Sequence, residues 1–339
     1  MLVLGIESTC DETAASVVED GVKILSNVIS SQVDLHKKYG GVFPELACRA
    51  HIDMILPVID EAIKKANVTI NDIDLISVAQ GPGLLGALLI GLNTTKALSF
   101  STSIPYIGVN HIEAHLYAAM MEGNKNIFPS LGVVISGGHT MLLKINSIGS
   151  YEKIGTTIDD AIGECFDKVA NILDLSYPGG PEVEKLAKDG DLSKYNFNVG
   201  RDKNSKFNFS FSGLKTKILY TVKGNRAKKN FPTLIKEEEK KHIAASFQNT
   251  VFEDLISKAS LACKTFNLKA IYFGGGVSNS KTLRALVQNK NLNIPIYFPN
   301  FGLSLDNAAM IAGLGYHKYT EKKSSDPLDL IAKTSYSKF

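Results

Sequence analysis

The sequence predicts a mixed α/β chain made of two copies of one frame, and three observations carry that expectation. The same strand–turn–helix–strand series occurs twice. A polar or Gly-rich turn follows an apolar strand at corresponding places, and each half opens on a hairpin. In the first copy, residues 73–80 run into Gly81-Pro82-Gly83. An apolar helix follows, then a strand over 104–109, then Asn110-His111-Ile112-Glu113-Ala114-His115. In the second copy, residues 270–273 run into Gly274-Gly275-Gly276. A helix, a strand over 294–298 and Leu305-Asp306-Asn307-Ala308-Ala309-Met310 complete it. Gly81 to His111 spans 30 positions and Gly274 to Asp306 spans 32, so the histidines and Asp306 hold matching places.

Taken in order, the apolar runs 2–6 and 14–18 flank the polar turn Glu7-Ser8-Thr9-Cys10-Asp11-Glu12-Thr13. Asp20-Gly21 then turns the chain into a third strand over 22–29, giving an antiparallel meander. The opening recurs as a strand over 131–135, the turn Ser136-Gly137-Gly138-His139-Thr140 and a strand over 141–145. The helix around 111–121 closes the first half, which sets a division into lobes 1–118 and 119–339, the second with a basic helical insertion near 201–241. This is the layout of the duplicated actin-like, sugar-kinase-like ATPase fold, with two lobes around a nucleotide cleft.

The bulk numbers agree with two packed lobes: 339 residues, 44% of them hydrophobic. No apolar run approaches the roughly 20 residues of a membrane-spanning helix. The first seven residues are too short and lack the basic leader of a signal peptide. Cys10, Cys48, Cys165 and Cys263 are scattered without a CxxC pair, which suits reduced thiols in a cytoplasmic protein.

Several turns carry chemistry. Ser136-Gly137-Gly138 offers backbone N–H groups that an anion can approach closely, and Gly274-Gly275-Gly276 leads into a helix at 281–288 whose N-terminus suits a nucleotide. The bland alternative for both is a tight hairpin turn. Tyr177-Pro178-Gly179-Gly180-Pro181-Glu182-Val183-Glu184 feeds a helix with Pro181 and acids in its first turn. Its glycines either meet a ribose or phosphate or only shape the turn. Asp11 and Glu12 sit on the first hairpin turn, where acidic residues are common and solvated. Within 159–168, Phe166 opens a helical apolar face, while Asp160, Glu164, Asp167 and Lys168 fall largely on other faces.

His111 and His115 are four residues apart, so a helix puts both on one face where they can share a metal. Such a pair alone also occurs as plain core packing. The order His-Ile-Glu-Ala-His excludes the zinc-protease motif, which needs the acid directly after the first histidine. The repeat supplies Asp306 as third ligand, brought from the second lobe across the cleft. Two histidines and a carboxylate with open positions suit Fe²⁺ or Zn²⁺.

These motifs, with Gly40-Gly41-Val42-Phe43-Pro44-Glu45-Leu46-Ala47, Gln80-Gly81-Pro82-Gly83 and Phe209-Ser210-Phe211-Ser212-Gly213-Leu214-Lys215-Thr216, run in order from residue 5 to about 310. Together they resemble the tRNA threonylcarbamoyladenosine transferase family of bacterial TsaD type, long called O-sialoglycoprotein endopeptidases. The resemblance implies transfer of threonylcarbamoyl from threonylcarbamoyl-AMP to N6 of the adenosine just 3′ of the anticodon, in tRNAs that read codons beginning with A, with release of AMP. It implies one bound Fe²⁺, or Zn²⁺, on His111, His115 and Asp306. It also implies an adenylate-binding set of Val134, Ile135, Ser136, Gly137, Gly138, Asp167, Gly180 and Glu184, with Asp11 and Glu12 near the reacting group. A paralogous TsaB-like subunit and a TsaE-like small ATPase are the implied partners. Where similar proteins have Val-Ser-Ala-Asn, this chain has Val277-Ser278-Asn279-Ser280, so the resemblance puts Ser280 in the place of the family's adenosine-contacting asparagine, with Asn279 the alternative if the turn shifts.

A tRNA substrate needs phosphate contacts, and residues 201–241 hold 12 Lys/Arg against 4 Asp/Glu, a local excess larger than the chain's net +3. Arg226, Lys228 and Lys229 are the residues whose charge reversal should weaken such contacts; the segment's alternative reading is a solvated lysine-rich helix. A small-molecule kinase of the same fold would hold Mg²⁺ on carboxylates and not need the histidines. A catalytically silent nucleotide-binding paralogue would lack them.

Overall fold

The computed structural model describes residues 1–121, 126–224 and 232–335. The chain divides into two compact units. The first is Met1–Asn126, Ser147–Tyr151 and Phe298–Phe339; the second is Ile127–Asn146 and Glu152–Tyr297.

In the first unit, β1 (Leu2–Glu7), β2 (Glu12–Glu19) and β3 (Lys23–Ser31) form the expected meander. Asp20 and Gly21 both take positive φ at the hairpin, a conformation that an Asp-Gly pair adopts at little cost. Helices α1 (Val33–Lys37) and α2 (Pro44–Lys65) lead to β4 (Leu75–Gly81), α3 (Leu85–Thr102), β5 (Tyr106–Asn110) and α4 (His111–Ala118). The sheet order is β3-β2-β1-β4-β5, with β4 parallel to β1 and β5. Every residue of β4 is buried, which is why its sequence is mostly apolar and shows no alternation of apolar and polar residues. Against the sheet, α2 packs Ile55, Val58, Ile59 and Ala62 into a core with Leu4, Ile6, Val17, Ile76 and Val78.

The second unit repeats the plan. β6 (Ser130–Ile135), β7 (Thr140–Ser147) and β8 (Ser150–Thr156) are followed by α5 (Ile162–Ile172), α6 (Gly179–Ala187), α7 (Ser212–Lys223) and α8 (Glu237–Phe266). Then come β9 (Ile271–Gly274), α9 (Lys281–Asn289) and β10 (Ile296–Tyr297). The order β10-β9-β6-β7-β8 matches the first sheet strand for strand, with β6 antiparallel to β7 and parallel to β9. Phe166 packs on Phe247 and Phe252 at ring separations of 4.8 and 5.5 Å, locking α5 to α8.

The basic segment is not one helix. Its opening, residues 201–211, contains no helix or strand, and Asp159 anchors its end, accepting from Ser210 Oγ at 2.6 Å and from the Phe211 and Ser212 amides at 2.7 and 3.3 Å. Arg226, Lys228 and Lys229 lie outside the described residues.

The last helix, α10 (Ala308–Lys322), corrects the expected division at 118. It packs on β1, β4 and α4, so the chain returns to the first unit from Phe298 onward. Gly5 makes this possible: a Cβ there would lie 2.2 Å from the Ala308 carbonyl and 2.9 Å from the Ala312 methyl. Gly315 meets Ser77 in the same way, and Ser77 Oγ donates to the Ile311 carbonyl at 2.8 Å. The following residues run on along the same sheet, with Asp326 Oδ2 accepting from the Gly108 amide at 2.8 Å and the Lys333 amide donating to the Gln80 carbonyl at 2.9 Å. Among the described residues, no helix is long and apolar enough to cross a membrane.

Candidate metal and nucleotide sites

Three side chains of the first unit meet beside the end of β5. Asn110 caps α4, its Oδ1 accepting from the Ile112 and Glu113 amides at 2.8 and 3.3 Å, which starts the helix at His111 and puts His115 one turn on. Asn307 plays the same part for α10 and is fully buried. Its Oδ1 accepts from the Met310 amide at 3.1 Å, and its Nδ2 donates to the Leu303 and Leu305 carbonyls at 3.1 and 2.8 Å. That clamp fixes the loop carrying Asp306. Asp306 Oδ1 lies 3.0 Å from His115 Nε2 and 3.6 Å from His111 Nε2, and the two Nε2 atoms are 3.1 Å apart. Asp306 therefore joins the histidines within the first unit, not from the second lobe as the repeat suggested, because α10 packs on β1.

The donor set suits a dication. Bonds of about 2.0–2.1 Å at tetrahedral angles separate ligand atoms by roughly 3.3 Å, close to the three separations here. Glu7, at the end of β1 and fully buried, lies behind His111, with Oε2 2.8 Å from Nδ1, and its Oε1 accepts from the Thr9 amide at 2.6 Å. Burial pulls the His111 imidazolium down, but Glu7 and Asp306 outweigh it and raise its pKa to about 9. Burial, then the charges of Asp306 and Asp11, push the Glu12 carboxyl up to about 10. Burial also raises the Cys10 thiol, which excludes a thiolate there.

The second unit holds the predicted adenylate set. Val134 and Ile135 are buried on β6, and the next turn closes through the Ser136 amide to the His139 carbonyl at 2.8 Å and the His139 amide to Ser136 Oγ at 3.0 Å. Gly137 and Gly138 are exposed, and a Cβ on either would meet nothing within 4 Å, so open space borders their backbone. Asp167 Oδ1 accepts from the Gly179 amide at 2.7 Å, placing the Gly179-Gly180 turn beside α5. Glu184 Oε1 accepts from Ser280 Oγ at 3.0 Å and the Thr282 amide at 2.7 Å. Ser280 also caps α9 through the Leu283 amide, so its hydroxyl serves the fold. Its neighbour Asn279 has a buried Oδ1 with no hydrogen-bond partner. Gly275, at φ 89°, brings this turn against Ile135 and Ser136, where a Cβ would lie 2.5 Å from the Ile135 carbonyl.

A family model described as tRNA N6-adenosine threonylcarbamoyltransferase matches residues 23–313. The chain belongs to this family. A threonylcarbamoyltransferase of Protochlamydia amoebophila is 57% identical over 331 residues, 97% of this chain and 96% of that one. One from Carboxydothermus hydrogenoformans is 45% identical over 336 residues, 98% and 97% of the two chains. Among solved structures, full-length HypF in a phosphate- and nucleotide-bound form aligns with TM-score 0.63 at 16% identity, covering 96% of this chain and 56% of that one. Component A of the Acidaminococcus fermentans (R)-2-hydroxyglutaryl-CoA dehydratase aligns with TM-score 0.52 at 15% identity, covering 94% and 99%. These likenesses establish the duplicated actin-like, sugar-kinase-like fold.

Within this threonylcarbamoyltransferase, sequence reasoning missed Glu7 and the histidines of the first helices. The signal for Glu7 was a lone charge closing an otherwise apolar strand. His51 is fully buried, its Nε2 donating to the Cys10 carbonyl at 3.0 Å and its Nδ1 accepting from Thr13 Oγ1 at 2.7 Å, so it braces the turn bearing Asp11 and Glu12. Lys168 pairs with Asp160 at 2.6 Å and Glu164 at 2.8 Å, and is not merely a solvated charge.

Proposed function

We propose that this chain transfers threonylcarbamoyl from threonylcarbamoyl-AMP to N6 of the adenosine just 3′ of the anticodon, releasing AMP. The observation that supports it best is the His111–His115–Asp306 cluster, intact in a chain of this family. A bound Fe²⁺ or Zn²⁺ on those three residues would supply Lewis-acid stabilisation of charge on a substrate oxygen. The Gly137 and Gly138 amides receive the leaving phosphate, with Val134, Ile135 and Ser136 shaping the turn. Asp167, Gly180 and Glu184 hold the rest of the adenylate. The N6 amine attacks the carbamoyl carbon, the bond from that carbon to the phosphate oxygen breaks and AMP leaves, and Asp11, with Glu12 beside it, takes the N6 proton. Because the amine is a weak nucleophile, orientation contributes more than early deprotonation. The basic segment 201–241 meets tRNA phosphates, and a TsaB-like subunit and a TsaE-like ATPase complete a cytoplasmic assembly.

The test is incubation with threonylcarbamoyl-AMP and unmodified tRNA, with and without those partners, followed by nucleoside mass spectrometry. Modified adenosine is expected from wild type and a strong loss from a folded His111→Ala/His115→Ala variant. No product under any condition, or full activity in that variant, overturns the reading.

A further inference from the structure

We propose that Glu7 is a positioning residue for the metal site: it fixes His111 with Nδ1–H toward itself, leaving the Nε2 lone pair for the ion. This rests on the metal reading above and adds a residue to it. The geometry is one-sided. Glu7 Oε2 lies 2.8 Å from His111 Nδ1, while His111 Nε2 faces His115 Nε2 and Asp306 Oδ1 at 3.1 and 3.6 Å. A carboxylate accepts, so the hydrogen on Nδ1 points to Glu7, and Nε2 is the nitrogen that gives up its proton to become the donor to a metal.

Burial makes the pairing hard to relax. Glu7 is fully buried, and its other oxygen is held at 2.6 Å by the Thr9 amide, so the carboxylate cannot swing away without losing that bond. His111 is its one ion-pair partner among the described residues. Thr9 Oγ1 lies 3.4 Å from the same His111 nitrogen, lining the contact without replacing it. Glu7 also places a negative charge next to the ligands, which favours a dication at Nε2.

Glu7→Gln preserves shape but removes the charge, and Glu7→Ala removes both charge and contact. Zn²⁺ affinity is measured by chelator competition on the full-length protein, with Co²⁺ absorption spectra reporting ligand geometry and thermal melts reporting folding. Loss of such a partner to a ligating histidine lowers metal affinity by about 10- to 100-fold. The expected result is that loss in Glu7→Gln, a larger one in Glu7→Ala and an altered Co²⁺ spectrum, with the metal-free melt of Glu7→Gln near wild type. Wild-type Zn²⁺ affinity and an unchanged Co²⁺ spectrum in Glu7→Gln overturn the inference alone. A wild-type protein that binds neither ion overturns the metal reading and this inference with it.

Discussion

Gly5→Ala tests how far the metal cluster depends on one backbone contact. The added Cβ would lie 2.2 Å from the Ala308 carbonyl oxygen and 2.8 Å from the Ala312 nitrogen. Both are helix backbone, so no side chain can turn aside, and relief requires α10 to move by about 1 Å from β1. Overpacking of this kind costs about 1–3 kcal/mol, a fall in Tm of roughly 2–10 °C for a unit of this size. Asp306 lies two residues before Ala308, and metal ligand distances tolerate only about 0.2 Å. A shift of that size therefore separates Asp306 from His115 and weakens Zn²⁺ binding by about 10-fold or more. Thermal melts and chelator competition measure both effects, with Gly302→Ala as control, because a Cβ at Gly302 meets nothing within 4 Å. Unchanged melting and Zn²⁺ affinity in Gly5→Ala would refute the idea that close packing of α10 places Asp306.

In the second unit, Gly137→Val fills open space beside the turn and should weaken binding of a non-hydrolysable adenylate analogue about 10- to 100-fold, the worth of a charge-assisted hydrogen bond or two; calorimetry reads it, and unchanged affinity returns the turn to a structural role. Asn279→Ala should lower the same affinity by about 3- to 10-fold, whereas Ser280→Ala should chiefly cost about 1 kcal/mol of stability through the lost cap. Urea titration separates the two, and an Asn279→Ala protein with wild-type affinity would exclude a ligand contact. Asp160→Asn removes one partner of Lys168, which keeps Glu164, and a partner of Lys215, at 2.6 and 2.9 Å, for about 1–2 kcal/mol at neutral pH given their partial exposure. Burial raises the Asp160 carboxyl, but the two lysines outweigh it and hold it below the usual range. Its contribution is therefore present above the ordinary carboxylate pKa of about 3.9 and lost as pH falls through the lower folded value, so variant and wild type should start to converge in stability near about pH 4 and meet only below the folded value. A difference that persists there would point to packing instead of charge.

The duplicated frame was legible because its signals are local: apolar runs, Gly-rich turns and one spacing that recurs. The pairing of Asp306 with the two histidines was legible from that spacing, since a helix begins after the last parallel strand of each half. The route was not. The small residues after Asp306 do not by themselves state that α10 returns to β1; the information is divided between Ala308, Ala312 and Gly315 and their distant counterpart Gly5. Glu7 was hidden for the same reason, because its partner His111 is distant in sequence and only the folded sheet brings them together. The start of α7 was also obscure, because its first amides, those of Phe211 and Ser212, are taken by Asp159, a carboxylate some fifty residues away in sequence.

The return of α10 also bears on synthesis. Nearly all of the second unit is one stretch between two parts of the first, so a ribosome releases it while the first sheet still lacks the helix that covers β1. His111 and His115 emerge early, and their third companion arrives only after the whole second unit has been made. A chain that ends between His115 and Asp306 keeps both histidines yet lacks the carboxylate, so on the proposed metal reading metal retention would report that translation has passed the second unit.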